Sequence, residues 1–254
     1  MFMKQTDLIK LLEQIAPPEI ADDFDNGRIG LIIDLLYEKK REINKIAVAL
    51  DVTTDVLLKA AEFKADLLIC HHTPLFHPIM KIPETLSKKM KIIFENNISV
   101  YAMHTNYDNA DGGINTVLAD IFNLKNRTKT DFGIIGTIEP TDADDFARSV
   151  SVKLNAPLIY AGSNTIQKVM ICGGSCLNRH ALLIAQEHQV DAFLSSEMKH
   201  SDVLRERGDM TVIDAGHYAT ENPGMKVLAE RLKKELGGKA EVLFIDDNPE
   251  LKTI

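Results

Sequence analysis

The chain has 254 residues, 45% of them hydrophobic and 26% charged, and its 29 Lys+Arg against 37 Asp+Glu give a net charge of −8. That is the composition of a soluble globular protein, since low-complexity disorder needs fewer apolar residues and a membrane-spanning helix needs about 20 in a row, far more than runs such as 29–33 or 46–50 supply. The acidic balance disfavours nucleic-acid binding through a broadly basic surface. The N-terminal MFMKQTDLIKLLEQ lacks the continuous apolar stretch of a signal peptide, so a cytoplasmic protein is expected.

Along the chain, Leu8, Ile9, Leu11, Leu12 and Ile15 share one face over 6–15, which predicts a helix capped by Thr6 and stopped by Pro17-Pro18. Two short apolar runs, 45–50 (KIAVAL) and 65–70 (ADLLIC), enclose a helical pattern at 53–64. Strand, helix, strand is the mark of a parallel crossover unit. A helix at 84–95, a strand at 98–102 and a helix at 113–122 continue it. The polar KNRTKTD after Leu124 marks a candidate boundary. Beyond it come strand 134–138, helix 142–154, strands 158–161 and 168–172, helix 179–188, strand 192–194, helix 199–207 and strand 211–214, then helix 219–236 and strand 241–245. The expected class is therefore α/β with mixed, mostly parallel sheets. Residues 1–126 with 215–254 are expected to form a first domain and 127–214 a second, alike in element order but without a residue-level repeat.

Three cysteines, Cys70, Cys172 and Cys176, are an odd and sparse set that argues against a disulfide framework. The CGGSC spacing of the last two is neither that of a zinc ribbon nor that of a redox dithiol, so both read as small structural residues.

The informative residues are histidines at strand ends, because loops leaving the carboxyl ends of parallel strands build the crevices of crossover folds. Strand 65–70 runs into His71-His72, strand 98–102 into His104 with Asp108 four residues on, and strand 211–214 into His217 with Glu221 four residues on. The four-residue spacing puts His217 and Glu221 on one face of an opening helix, and His104 and Asp108 across a tight turn. Adjacent His71 and His72 diverge if strand geometry persists, which suits two metal ions better than one. Six ligands for two ions leave open positions, as in a catalytic site. His180 and His188 fall on an ordinary helix and read as surface residues; His77 is left between lining and packing. Met103 and Tyr107 read as packing residues.

At these positions the chain resembles the Nif-three-like family of dinuclear-metal proteins, many of which are named GTP cyclohydrolase I type 2 homologues. The shared motifs are Asp25-Asn26 with Gly30-Leu31, Cys70-His71-His72 with Pro74-Leu75, and His104 to Asp108 with Gly112-Gly113. Gly173-Gly174-Ser175, Ser196 to His200 and Asp214 to Glu221 complete them. The resemblance implies that His71, His72, His104, Asp108, His217 and Glu221 bind two divalent transition metal ions (Zn, Fe, Mn, Co or Ni). It also implies two interlocked α/β domains with the metal site between them, and assembly into a ring-shaped homohexamer. Phe24, where the family often has Trp, the longer NGRIG segment with Arg28, Tyr107, and Ser201 beside His200 depart from its pattern without removing a ligand.

The activity so implied is a metal-dependent hydrolase that opens the guanine imidazole ring of GTP and releases formate. Glu197 and His200 are the candidate proton-transfer or substrate-orienting groups, against the plainer reading of a capped helix start. Gly112-Gly113 could admit a phosphate to a helix N-terminus or simply turn the chain. No P-loop or GxGxxG supports nucleotide binding independently. A regulatory or scaffold ring without turnover and a metal-dependent phosphoester hydrolase are the alternatives.

Overall fold

In the computed structural model residues 3–39 and 42–249 are described. The chain opens with β1 (Met3–Lys4), α1 (Gln5–Ile15), β2 (Gly30–Ile33), β3 (Glu42–Ile43), β4 (Lys45–Ala49), α2 (Thr54–Phe63) and β5 (Leu67–Cys70). Next come α3 (Glu84–Glu95), β6 (Ser99–Ala102), α4 (Thr105–Asn109) and α5 (Ile114–Ile121), followed by β7 (Lys125–Thr130), β8 (Gly133–Asp142), α6 (Ala143–Leu154), β9 (Ile159–Ala161) and β10 (Thr165–Ile171). It closes with α7 (Arg179–Glu187), β11 (Ala192–Ser195), α8 (His200–Glu206), β12 (Thr211–Asp214), α9 (His217–Leu236) and β13 (Glu241–Phe244). Two compact units result, one of Met1–Gly113 with Met225–Asn248 and one built on Ile114–Gly224.

The first unit carries a five-stranded sheet in the order β13-β4-β5-β6-β2. β13, β4, β5 and β6 run parallel and β2 is antiparallel on β6. Every residue of β5 and β6 is buried, which is why both read as unbroken apolar runs rather than alternating ones. The core below holds Val56, Leu57 and Ala60 of α2 and Ile93 of α3 against Leu68, Val100 and Ala102. α2 starts where Thr53 Oγ1 accepts the Val56 N–H at 3.1 Å and ends at Lys64 in the left-handed region, φ 60°. α1 begins one residue earlier than its pattern predicts, at Gln5, and Thr6 is not its cap: Met3–Lys4 is held extended by pairing with Glu42–Ile43, so the helix starts directly off that strand.

The second unit has a six-stranded sheet, β7-β8-β10-β11-β12-β9, in which β10, β11 and β12 are parallel and the outer pairings antiparallel. Most of the polar KNRTKTD stretch is a strand. Its Lys125–Thr130 forms the edge strand β7, where exposed charged side chains suit a sheet border. Asp142 caps α6 by accepting from Asp145 N at 2.8 Å, and Asn178 caps α7 through His180 N and Ala181 N. No helix among the described residues is long and apolar enough to cross a membrane.

Candidate metal centre

Because β4, β5 and β6 are parallel neighbours in register, with Ala49 opposite Cys70 and Cys70 opposite Ala102, their carboxyl ends lie side by side. The residues that follow are Leu50-Asp51, His71-His72 and Met103-His104. The two adjacent histidines do not diverge as an extended strand would require. β5 ends at Cys70, and the N–H groups of His71 and His72 both donate to Leu50 O, at 3.1 and 3.0 Å, so the chain turns and brings the ring centroids to 4.8 Å. The His104 ring lies 4.8 Å from that of His71 and 5.7 Å from that of His72. Ligand nitrogens of the three lie within 4.8 Å of one another, a group that could hold a metal ion. His104 precedes a helix, α4, rather than an open turn, and this carries Asp108 round so that its Oδ2 stands 3.7 Å from His71 Nε2.

Each of these rings is held through Nδ1. His71 Nδ1 meets Met103 O at 2.8 Å, His72 Nδ1 meets Asp51 Oδ1 at 2.8 Å, and His104 Nδ1 meets Asp25 Oδ2 at 2.7 Å. Facing a carbonyl or carboxylate oxygen, Nδ1 carries the proton and donates, which leaves the Nε2 lone pair for a metal. Asp25 is fully buried and also accepts from Thr105 N at 3.0 Å and Thr105 Oγ1 at 2.6 Å. Burial pushes its carboxyl up, but the hydrogen bonds from His104 and Thr105 outweigh that and hold it below the usual aspartate value.

The second unit repeats the device at the ends of β10, β11 and β12. His217 Nδ1 meets Glu197 Oε1 at 2.6 Å, and its Nε2 lies 3.0 Å from Glu221 Oε2, one helical turn on in α9. The His217 hydrogen bond holds the Glu197 carboxyl below its ordinary value against desolvation, with Ser175 helping. Glu197 adopts a left-handed backbone, φ 59°, stabilised where Asp214 accepts from Met198 N at 2.8 Å and Gly216 N at 3.0 Å. Gly174 closes the other side: its φ is +69°, and a Cβ there would collide with Glu221 Oε1 and stand 3.2 Å from His217 Nε2. Its carbonyl accepts from the hydroxyls of Ser195 and Ser196 at 2.8 and 2.6 Å, and Gly174 N donates to Thr220 Oγ1 at 3.0 Å. The left-handed φ and the closeness of Glu221 both favour glycine there.

Of the residues singled out in the sequence, His71, His72, His104 and Asp108 converge in the first unit and His217, Glu221 and Glu197 in the second. His200 is exposed at the start of α8 and takes no part in the hydrogen bonds around His217 among the described residues. Asp51 was not among the candidates; its signal is its place at the end of β4, beside β5. Asp25 lies in a shared motif, yet nothing in its local pattern shows that it reaches His104, 79 residues away. His77 is exposed with its ring 5.1 Å from that of Phe76, and His180 and His188 are exposed as expected. Gly113 N donates to Ala110 O at 3.0 Å, as in a plain turn. Cys172 and Cys176 correct the expectation of two separate structural residues, for the Gly173-Gly174 turn brings their Cα atoms to 6.2 Å and they form a disulfide. Cys70 stays a buried free thiol.

Imidazole nitrogens fixed by oxygen acceptors and interleaved with carboxylates are a borderline-hard donor set, which fits divalent first-row transition ions. Fold and donor groups together define a mixed α/β protein with candidate metal ligands at the carboxyl ends of its parallel strands. The chain belongs to the Duf34/NIF3 (NGG1p interacting factor 3) family, whose model matches residues 3–250. It is 31% identical to the GTP cyclohydrolase 1 type 2 homolog of Methanocaldococcus jannaschii over 251 residues, covering 96% of this chain and 100% of that protein. A Clostridium perfringens protein of the same description is 28% identical, with 95% of each chain covered. Among solved structures, reduced HcgD from M. jannaschii superposes with a TM-score of 0.85 at 31% identity, over 97% of this chain and 99% of that one. A Bacillus cereus protein related to NIF3 shares the fold, with a TM-score of 0.89 at 16% identity over 100% of both chains.

Proposed function

We propose that His71, His72, His104 and Asp108 of the first unit, with His217 and Glu221 of the second, hold two divalent transition metal ions, and that the protein is a metal-dependent hydrolase. The observation that carries this reading is the fixing of every candidate imidazole through Nδ1, by Met103 O, Asp51, Asp25 and Glu197, at 2.6–2.8 Å. Rings held in this way present an unprotonated Nε2, as a metal ligand must. Bound there, the ions supply Lewis acidity and a water of lowered pKa.

The chain's own groups then orient and move protons. Asp25, Asp51 and Glu197 lock ring tautomers and raise ligand basicity. Glu197, the most exposed of the three, also takes or returns a proton beside His217. The names carried by the relatives from M. jannaschii and C. perfringens support the GTP cyclohydrolase type of reaction, opening the guanine imidazole ring with release of formate. Metal analysis of carefully prepared protein is expected to find about two transition ions per chain, reduced in Asp108→Ala and Glu221→Ala. Incubation with GTP is expected to release formate, and to stop doing so in His104→Ala. Phosphate without formate favours a phosphoester hydrolase, and neither product favours a regulatory metal protein; fewer than one ion per chain refutes the metal reading itself.

A further inference from the structure

Two exposed aromatic rings and one arginine gather over His104. Phe24 and Phe76, 52 residues apart in the chain, both meet the imidazole in a T-shaped arrangement, with centroids at 6.1 and 5.8 Å and interplanar angles of 76° and 82°. Phe24 is 50% exposed and Phe76 38%. Both are large apolar surfaces left open to water next to a set of polar ligands, an arrangement that costs solvation free energy unless something covers it.

Arg28 lies across both rings, its guanidinium carbon 4.4 Å from the centroid of Phe76 and 5.9 Å from that of Phe24. Its Nη1 donates to Phe24 O. The guanidinium is thus held over the Phe76 ring and by one backbone acceptor, while no carboxylate among the described residues pairs with it and its remaining N–H donors stay available. It lies within about 10 Å of the His104 ring, an upper bound set by its 4.4 Å to Phe76 and the 5.8 Å from Phe76 to His104.

The cluster is also tied to the ligand it overlooks. Phe24, Asp25 and Arg28 belong to one turn, closed by Asp25 N to Asp22 O at 2.9 Å and Arg28 N to Asp25 O at 2.8 Å. The carboxylate in the middle of that turn is the one that holds His104 Nδ1. The same short segment therefore fixes the imidazole and holds Phe24 and the cation beside it.

We infer that Phe24, Arg28 and Phe76 form a recognition platform on which a planar aromatic ligand stacks beside His104, with an anionic substituent held by the Arg28 guanidinium. The rings supply flat apolar contact to a heteroaromatic face. The guanidinium supplies a charge-assisted, bidentate grip on a phosphate or carboxylate. The ligand class is a planar aromatic ring that carries an anionic group, as in a nucleotide. This rests on the metal-hydrolase reading for what happens to the ligand, but not for its binding.

Calorimetric titration of the metal-loaded protein with 1-naphthyl phosphate, 1-naphthol and inorganic phosphate tests the platform without a nucleotide. Naphthyl phosphate is expected to bind at least ~10-fold more tightly than either fragment, and Arg28→Ala to lose about tenfold of that affinity while 1-naphthol binding stays unchanged. Phe76→Leu and Phe24→Leu are expected to weaken both aromatic probes severalfold and to leave inorganic phosphate unchanged. Arg28→Lys should recover part of the loss. Metal content and melting temperature of all four variants are expected to match wild type, which separates a lost platform from a lost fold or a lost metal centre. Naphthyl phosphate affinity unchanged in both Arg28→Ala and Phe76→Leu overturns the proposal. If naphthyl phosphate behaves as expected but GTP neither binds nor competes, the platform stands and the guanine-nucleotide reading falls. The same R28A loss for carboxylate and phosphate forms of the naphthalene probe assigns the grip to charge, and loss for one alone identifies the anion.

Discussion

Replacing Asp25 by Asn isolates the link between buried hydrogen bonding and ligand chemistry. The wild-type carboxylate meets His104 Nδ1 at 2.7 Å through Oδ2 and 2.9 Å through Oδ1, and accepts from Thr105 N at 3.0 Å and Thr105 Oγ1 at 2.6 Å. Asparagine keeps one acceptor oxygen. With that oxygen in the Oδ2 place it still faces Thr105 and His104 Nδ1, but the NH2 in the Oδ1 place is set 2.9 Å from the same donating Nδ1 and repels it; the opposite flip turns the NH2 on both Thr105 donors as well. The first arrangement costs less, because an imidazole can change tautomer and a backbone N–H cannot. His104 then accepts at Nδ1 and carries its proton on Nε2, where a metal needs the lone pair. Disturbing a partner of this kind typically lowers metal affinity about 10- to 100-fold, or roughly 1.4–2.7 kcal/mol. Exchanging charge-assisted for neutral hydrogen bonds in a fully buried site costs the apoprotein about a further 1–2 kcal/mol of folding stability.

The assays are chelator-competition titration for affinity and denaturant unfolding of the apoprotein for stability. A D25N protein that binds metal within twofold of wild type refutes the tautomer argument, whatever its stability. The pH dependence gives an independent check on the same residue. The folded carboxyl of Asp25 lies below its ordinary value of 3.8. Its contribution to stability is therefore present above pH 3.8 and is lost as pH falls below that value through the folded-state pKa. Wild-type apoprotein should lose more stability than D25N on acidification from pH 5 to pH 3, and parallel curves would contradict the assigned hydrogen bonds.

Glu197→Gln should release His217 in the same manner and reduce metal affinity by about 10- to 100-fold with little loss of folding stability, since Glu197 is exposed; an unchanged affinity removes it from the site. Gly174→Ala imposes a left-handed alanine, at about 1 kcal/mol, and drives its Cβ against Glu221, so metal content should fall together with stability, and normal metal content would show that Glu221 can move aside freely. Alkylation followed by mass analysis of denatured, unreduced protein should label Cys70 alone, with two further labels appearing on Cys172 and Cys176 after reduction. Three labels without reductant would contradict the disulfide.

How much was legible beforehand follows from how far each signal reaches along the chain. Strand and helix periods of 2.0 and 3.6 residues are local, so strands such as Thr211–Asp214 and helices such as Glu84–Glu95 stand where the apolar pattern puts them. β7 was not legible, because an edge strand of KNRTKT carries no buried face and its pairing with β8 supplies what its composition withholds. The histidines were legible as a group because parallel strands deliver their carboxyl ends to one side of a sheet, and the sequence marks those ends. It also carried the spacing of His217 and Glu221, one helical turn apart.

Tertiary structure alone decided what surrounds those ligands. Asp25 lies 79 residues from His104 and Asp51 21 residues from His72, and neither separation leaves a periodic trace. The direction of the His71 and His72 rings was misread from strand geometry, because it depends on where β5 stops and on the single carbonyl of Leu50 that takes both N–H groups. The meeting of Phe24, Arg28 and Phe76 over His104 is equally a product of folding. Residue types and spacing determine which donors the chain owns. Which nitrogen of each imidazole faces a ligand is set by acceptors on neighbouring strands and turns, which only the folded sheet brings within hydrogen-bond reach.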